Sequence, residues 1–402
     1  MKFLNYKSTM QKNKKITIFL VILILLFTMQ LFKPNYIVSA DDGSIEVSLS
    51  SSVNEIVSAL DLSGLEDILS NITDNKLFDT TVREKVDSIL KGEYFTNYGD
   101  IVSAIFSIIF SGVKSFLPIV FTVVAISVLS SLINSFRSST SETADMVYFV
   151  CYAVVVILIL VSFKSVLKDM RAVIATVSKL MQIVFPILIS LLAAIGSLSS
   201  VSIYNPLVAV LTTLVDIVFD KFLYPIFILI FIFTVIANLT TTVKLDKLTN
   251  FFASAFKWII GIVFTVFAGF LSLQGISAGK FDSISIRATK FAIKSYIPII
   301  GSFMADGMDF IVLGSVLVKN TVGLVAVLLL FAIVIVPIIN VVIYKLLLQL
   351  SAGVIELTGA TKMSAFLQKV SKVLILPIVI VLGVSLMFVI TIAMIMCTAN
   401  IF

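Results

Sequence analysis

Two aspartates three residues apart, Asp306 and Asp309, stand inside the otherwise apolar stretch Tyr296–Asn320, which closes on Lys319-Asn320. Carboxylates at i and i+3 share one face of a helix. An aspartate at the centre of a lipid-facing helix costs about 2.5–3.5 kcal/mol on insertion scales, and two cost about twice that. That face therefore points at other helices, at a water-filled cavity or at the interface. Two readings stay open: the polar lining of a conduit, and a re-entrant or interfacial segment whose acids reach water or pair with Lys319 or another cation. Gly301, Gly307 and Gly314 loosen the segment and permit close helix approach. A second weakly apolar segment, 206–222, carries Asp216 and Asp220, with Lys221 marking a helix end at the interface. Asp216, Asp306, Asp309, Lys319 and Asn320 are the candidate intramembrane polar residues.

Other chemistry finds little material. The chain has no histidine, which removes His-based acid–base work and His metal ligation. Its two cysteines, Cys151 and Cys397, lie at or within apolar runs and form no Cys-x-x-Cys pair. Gly275–Phe281 imitates a phosphate loop, but its glycine spacing is one short and Phe281 stands where a Mg²⁺-holding Ser/Thr belongs. No GxGxxG or GxSxG motif occurs. The expectation is a protein that is not an enzyme and has no cofactor, metal or catalytic site. Thinly spread basic residues argue against a nucleic-acid partner.

The elements that must hold the polar residues follow from composition. Of 402 residues, 59% are apolar and only 13% charged, with mean hydropathy +1.14. A soluble domain carries about 25% charge, so this chain meets lipid. Spanning backbone must satisfy its own hydrogen bonds, and long unbroken apolar runs select helices over a barrel. The fold class is all-α, a polytopic membrane protein of about seven to nine membrane segments. Seven strong spans fall near 116–133, 147–163, 174–195, 223–239, 258–276, 321–343 and 373–396, and the weaker segments are 206–222 and 297–318. Residues 101–115, interrupted by Lys114 and Pro118, read as an interfacial amphipathic helix. Basic clusters at Lys164/Lys168/Arg171, Lys244/Lys247/Lys257, Lys280/Arg287/Lys290/Lys294 and Lys345/Lys362/Lys369/Lys372 read as loops. Only the 258–276 span separates the second cluster from the third, so the positive-inside rule cannot hold for both. The segment 280–295 is accordingly expected as an interfacial or buried helix. Proline spacing and a repeated Ser-Ala-Phe point to a weak internal repeat, 180–276 and 292–396, of the kind found in transporter folds.

Residues 1–40 have the form of a signal peptide. Lys2, Lys7, Lys12, Lys14 and Lys15 precede the apolar Ile16–Phe27, and Val38-Ser39-Ala40 offers a cleavage site before Asp41. An uncleaved anchor is the alternative. Residues 41–100 then hold 13 acidic and 4 basic side chains, which suits export, whereas residues 101–402 form the polytopic domain with 19 basic and 10 acidic ones. Helical spacing recurs at Val53/Ile56/Val57/Leu60, at Leu65/Ile68/Leu69/Ile72 and at Val82/Val86/Ile89, and Ser63-x-x-Glu66 has the form of a capping box. So short a segment makes a weak core alone. It is expected to pack on the membrane domain or on a partner.

With these residues in place the chain resembles the stage III sporulation protein AE family of endospore-forming Gram-positive bacteria. The resemblance rests on the signal-like start, on SGLEDILSNI at Ser63–Ile72, and above all on YIPIIGSFMADGMDFIVLGSVLVKNTVG at Tyr296–Gly323. It extends over nearly the whole chain in length and span order. It implies a component of the channel or secretion complex linking mother cell and forespore, in the mother-cell-derived membrane around the forespore. The implied partners are ring-forming envelope proteins, a cytoplasmic secretion-type ATPase and a forespore-side protein. The implied role is to sustain late forespore gene expression in endospore formation. An autonomous secondary transporter and a membrane scaffold without a transport path are the competing readings.

Overall fold

The computed structural model describes residues 43–70, 80–91, 98–135, 142–239, 245–275, 288, 291 and 301–398. The signal-like residues 1–40, with the expected cleavage between Ala40 and Asp41, lie outside this set, as does nearly all of 280–295. Every described element is helical: α1 Gly43–Ala59, α2 Ser63–Ser70, α3 Val82–Leu90, α4 Tyr98–Ser135, α5 Glu142–Ala194, α6 Leu198–Leu214, a π-helix Val215–Leu223, α7 Tyr224–Leu239, α8 Asp246–Gly275, α9 Gly301–Leu357, α10 Thr361–Val373 and α11 Ile375–Cys397. Contacts divide the chain into Met1–Ser52, of which only the start of α1 is described, and Val53–Phe402.

The protein is a polytopic α-helical membrane protein. Among the described residues, six helical stretches are long and apolar enough to cross a bilayer: Val102–Ile133, Met146–Ala194, Leu198–Asn238, Asp246–Ser272, Gly307–Leu357 and Thr361–Cys397. Several segments that the sequence divides are continuous. Residues 101–115 do not lie apart as an interfacial helix; they run into 116–133 as α4, and Pro118 sits inside that helix. Lys164, Lys168 and Arg171 are not in a loop but on α5, which joins 147–163 to 174–195. Lys257 lies on α8 and Lys345 on α9. Hydropathy splits a helix wherever charges cluster, whereas an α-helical ladder continues through any residue that keeps its N–H bonded. Helix α9, with 57 residues, is about 85 Å long at about 1.5 Å per residue. A hydrocarbon core is about 30 Å thick, so α5 and α9 must extend beyond it.

Helix α9 is the central post, packed along α4, α5, α10 and α11. Phe116 of α4 stacks on Tyr344 with centroids 4.7 Å apart, and Phe185 of α5 meets Phe388 of α11 edge-on at 5.4 Å. The reversal after α5 is a Schellman turn. Gly196, with φ 88°, occupies the left-handed position, Ser197 N–H reaches Leu192 O, and Gly196 N–H reaches Ala193 O. Gly359, with φ 84°, makes the corresponding reversal between α9 and α10. At Gly323 a Cβ would lie 2.7 Å from Met396 Sδ and 3.3 Å from Ile392 Cγ2, so α9 and α11 approach closely there. Gly323→Leu is expected to lower stability by about 1–3 kcal/mol through overpacking, read as a lower unfolding midpoint in detergent. An unchanged midpoint would contradict that contact.

The acidic segment folds on the bundle. Leu65 and Ile68 of α2, and Val82, Val86 and Ile89 of α3, are buried. Helix α2 packs on α5 and α3 on α9. The expected capping box at Ser63–Glu66 does not form. Ser63 is already the first residue of α2, and its N–H and hydroxyl donate to Asp61 Oδ1 at 3.0 and 2.5 Å, while Glu66 accepts from Arg83 N–H at 3.3 Å. These bonds hold the Asp61 carboxyl below its ordinary range, the Ser63 hydroxyl contributing most. The capping box of this segment is Thr81 with Glu84, where both reciprocal bonds are present.

Candidate functional site

The acid-bearing start of α9 lies beside the acidic segment. One face of α9 offers Gly314, where a Cβ would meet Ile56 Cδ1 at 3.2 Å and Val53 Cγ2 at 3.6 Å. Protein therefore covers this face of the helix five residues beyond Asp309. Asp309 itself is half-buried. Asp306 lies on the same helix, and its side chain is outside the described set. On α1 the exposed residues beside this contact, Asn54 and Glu55, are polar, so this end of α9 lies next to water-compatible protein.

Lys319 goes elsewhere. It is fully buried, and its Nζ donates to the backbone carbonyl of Thr398, the residue that ends α11. The carbonyls at a helix C-terminus lack intrahelical donors and carry the negative end of the macrodipole, so an ammonium there is doubly favoured. The Thr398 hydroxyl lies 2.7 Å from the Tyr204 hydroxyl and donates to Met394 O at 2.8 Å. Lys319 of α9, Tyr204 of α6 and the end of α11 thus form one buried knot. Ten residues of helix, about 15 Å of rise, separate Lys319 from Asp309. Asn320 is half-buried, and its Oδ1 has no hydrogen-bond partner among the described residues; the same holds for the fully buried Ser315 Oγ.

Asp216 belongs to a second polar group. It stands on the π-helix, directly ahead of Pro225, whose missing N–H disturbs the regular ladder. Asp216 Oδ1 accepts from Ser178 Oγ of α5 at 2.7 Å. One turn on, Asp220 takes a two-pronged pair from Arg171, with Nε–Oδ1 2.9 Å and Nη2–Oδ2 3.0 Å. The Arg171 guanidinium also lies 5.3 Å over the Tyr224 ring. Next to Ser178, Lys179 bonds Asp67 of α2 at 2.6 Å. This ladder ties α5 to the π-helix and to the acidic segment. The five candidates therefore fall into three places: Asp306 and Asp309 at the start of α9, Lys319 and Asn320 by the knot, and Asp216 on the ladder. Among the described residues no three His, Cys, Asp or Glu side chains gather to hold a metal ion.

Sequence reading placed Arg171 in a loop and missed Ser178, Lys179, Tyr204 and Thr398. One signal was available: Asp216 and Asp220 are four apart, and Arg171 and Ser178 seven apart, so each pair shares a helical face. No sequence pattern announces the Lys319–Thr398 bond, 79 residues apart.

The Asp67–Lys179 bond makes a pH prediction. Lys179 holds the Asp67 carboxyl below its ordinary value of 3.8, through the hydrogen bond first and charge second. A lowered carboxylate pKa contributes stability above the unfolded value, and loses it as pH falls through the folded one. Amide protection in Ser63–Ser70 is expected to fall below pH 3.8, and Lys179→Gln to remove that step. Both partners are exposed, so the effect is small.

Residues 80–399 match the family described as stage III sporulation protein AE. The chain is also similar to stage III sporulation protein AE of Bacillus subtilis (strain 168), 27% identical over 303 residues, covering 74% of this chain and 75% of that protein. No solved structure matches it.

Proposed function

Because the chain belongs to the stage III sporulation protein AE family, we propose that it is a non-enzymatic, multi-pass component of a channel or secretion complex joining mother cell and forespore. It acts in the mother-cell-derived membrane around the forespore and sustains late forespore gene expression. Ring-forming envelope proteins, a cytoplasmic secretion-type ATPase and a forespore-side protein are its partners, and the ATPase supplies the energy. The observation that carries this reading is the family match over residues 80–399.

The geometry supports it in one respect. An exported acidic segment that folds back on α5 and α9 would give the membrane bundle a built-in face on the extracytoplasmic side. Envelope proteins could assemble on that face. Asp306 and Asp309 lie at this end of α9, and they form the wet mouth of the bundle rather than a site buried in hydrocarbon.

Deletion of the gene in its own host tests the proposal. The expected result is normal vegetative growth, normal engulfment, and then arrest with late forespore reporters silent, restored by the intact gene. Normal spore yield after deletion overturns it.

A further inference from the structure

Three long helical stretches are weakened at one height of the bundle. Proline has no N–H to donate to the carbonyl four residues back, so it opens the ladder and lets a helix bend. Pro225 follows the π-helix Val215–Leu223, where the ladder has already widened. Pro377 stands in the first turn of α11, and Leu374 separates α10 from α11 just ahead of it. Pro337 lies within α9.

Side-chain contacts bring these prolines level. Helices α9 and α11 are antiparallel, with Lys319 bonded to the Thr398 carbonyl and Gly323 against Met396. Counting back along α11 as far as Pro337 lies beyond Lys319 reaches Ile380, within one turn of Pro377. Helices α7 and α8 are antiparallel, with Phe233 5.5 Å from Phe252, which sets Pro225 opposite Ile260. Helices α8 and α11 run in one direction. Asp246 pairs with Lys369 ahead of α11, and a Cβ at Gly383 would lie 3.2 Å from Phe264 Cε2, so Ile260 is level with Val379. Pro225, Pro337 and Pro377 therefore fall within about 5 Å along the bundle axis. Gly261 of α8 shares that height, and nothing lies within 4 Å of where its Cβ would be.

Helix α5 differs. From Leu158 to Gln182 it has neither proline nor glycine. It passes this height unbroken, and the Arg171–Asp220 pair ties it to the π-helix one turn from Pro225. Its outer surface also changes here. Met146, Phe149, Val150, Ile157 and Val161 are exposed before this height, whereas from Lys164 to Ala194 no large apolar side chain of α5 is exposed. Two halves with different surfaces thus meet where the other helices bend most easily.

We propose that this level is a hinge across the bundle. The half that carries the acidic segment tilts against the other half. The prolines and the π-helix absorb the change in backbone angles, and the Arg171–Asp220 pair holds one of the two positions by tying the bending α6–α7 stretch to the unbroken α5.

Double spin labelling of the reconstituted full-length chain, with Cys151 and Cys397 replaced by alanine, tests this. Leu198→Cys and Leu350→Cys, at positions 64% and 67% exposed, place labels on opposite sides of the level. Phe149→Cys with Leu350→Cys places both on one side. The expected result is two distances for the first pair and one for the second. Arg171→Gln is expected to shift the ratio of the two distances about threefold, the weight of one exposed ion pair. Alanine at Pro225, Pro337 and Pro377 together, which favours helix at each position, is expected to leave one distance. A single distance across the level, both in the unmodified chain and in Arg171→Gln, overturns the proposal. So do two distances for the pair on one side, which would make the whole bundle pliable, and two distances that survive the triple replacement, which would put the bend elsewhere. A ratio that Arg171→Gln leaves unmoved overturns the part given to the ion pair.

Discussion

Replacing Lys319 by alanine is expected to lower stability by about 2–5 kcal/mol, the range for truncating a large buried side chain. The side chain is wholly buried and its ammonium satisfies the Thr398 carbonyl at the end of α11. Alanine would leave a cavity and an unpaired acceptor, freeing the last helix from α9 and from Tyr204. Methionine tells a second story. It fills a similar volume and removes the buried charge, but it leaves the Thr398 carbonyl unpaired, a cost of about 1–3 kcal/mol. Lys319→Met is therefore expected to unfold below the wild-type midpoint and above that of the alanine variant, followed by Trp258 fluorescence in detergent. Alanine and methionine variants that both match wild type would show that the knot does not hold α11. A methionine variant that folds but yields no spores would give the ammonium a role beyond structure.

Introducing a carboxylate at Leu65 is the second large effect. Leu65 has no exposed surface, and α2 packs on α5. Leu65→Asp would bury an unpaired charge at a cost of several kcal/mol. Undocking α2 is the cheaper outcome, so the segment should detach while the bundle remains in the membrane. Protease added on the side of the acidic segment is expected to cut within Ser63–Ser70 in the variant and to spare it in the wild type. Equal resistance would mean that α2 contributes little to docking.

The sequence carried the helices and their setting, because apolar run length and low charge reflect the solvent around the chain. It misplaced boundaries where charges sit on helices. Lys164, Lys168 and Arg171 interrupt hydropathy, yet α5 continues through them and Arg171 meets Asp220 on the neighbouring helix. Both Ser63–Glu66 and Thr81–Glu84 have capping-box form, and only the second makes the two bonds. In the first, Asp61 takes the Ser63 N–H and Arg83 takes Glu66, a competition that local spacing does not encode. The acids at 306 and 309 were legible as a pair needing shelter. That α1 packs against Gly314, five residues further along α9, was not, because this contact joins residues more than two hundred positions apart.

The central proposal is that the start of α9 lies at a wet mouth beside the acidic segment, outside the hydrocarbon. Its most direct test is substituted-cysteine labelling in a variant with Cys151 and Cys397 replaced by alanine. Asp306→Cys and Asp309→Cys are expected to react with a membrane-impermeant maleimide applied from the exported side, and Ile232→Cys, on the exposed apolar face of α7, to stay unlabelled. Cysteines at 306 and 309 that remain silent to the impermeant reagent yet react with a membrane-permeant one would contradict it.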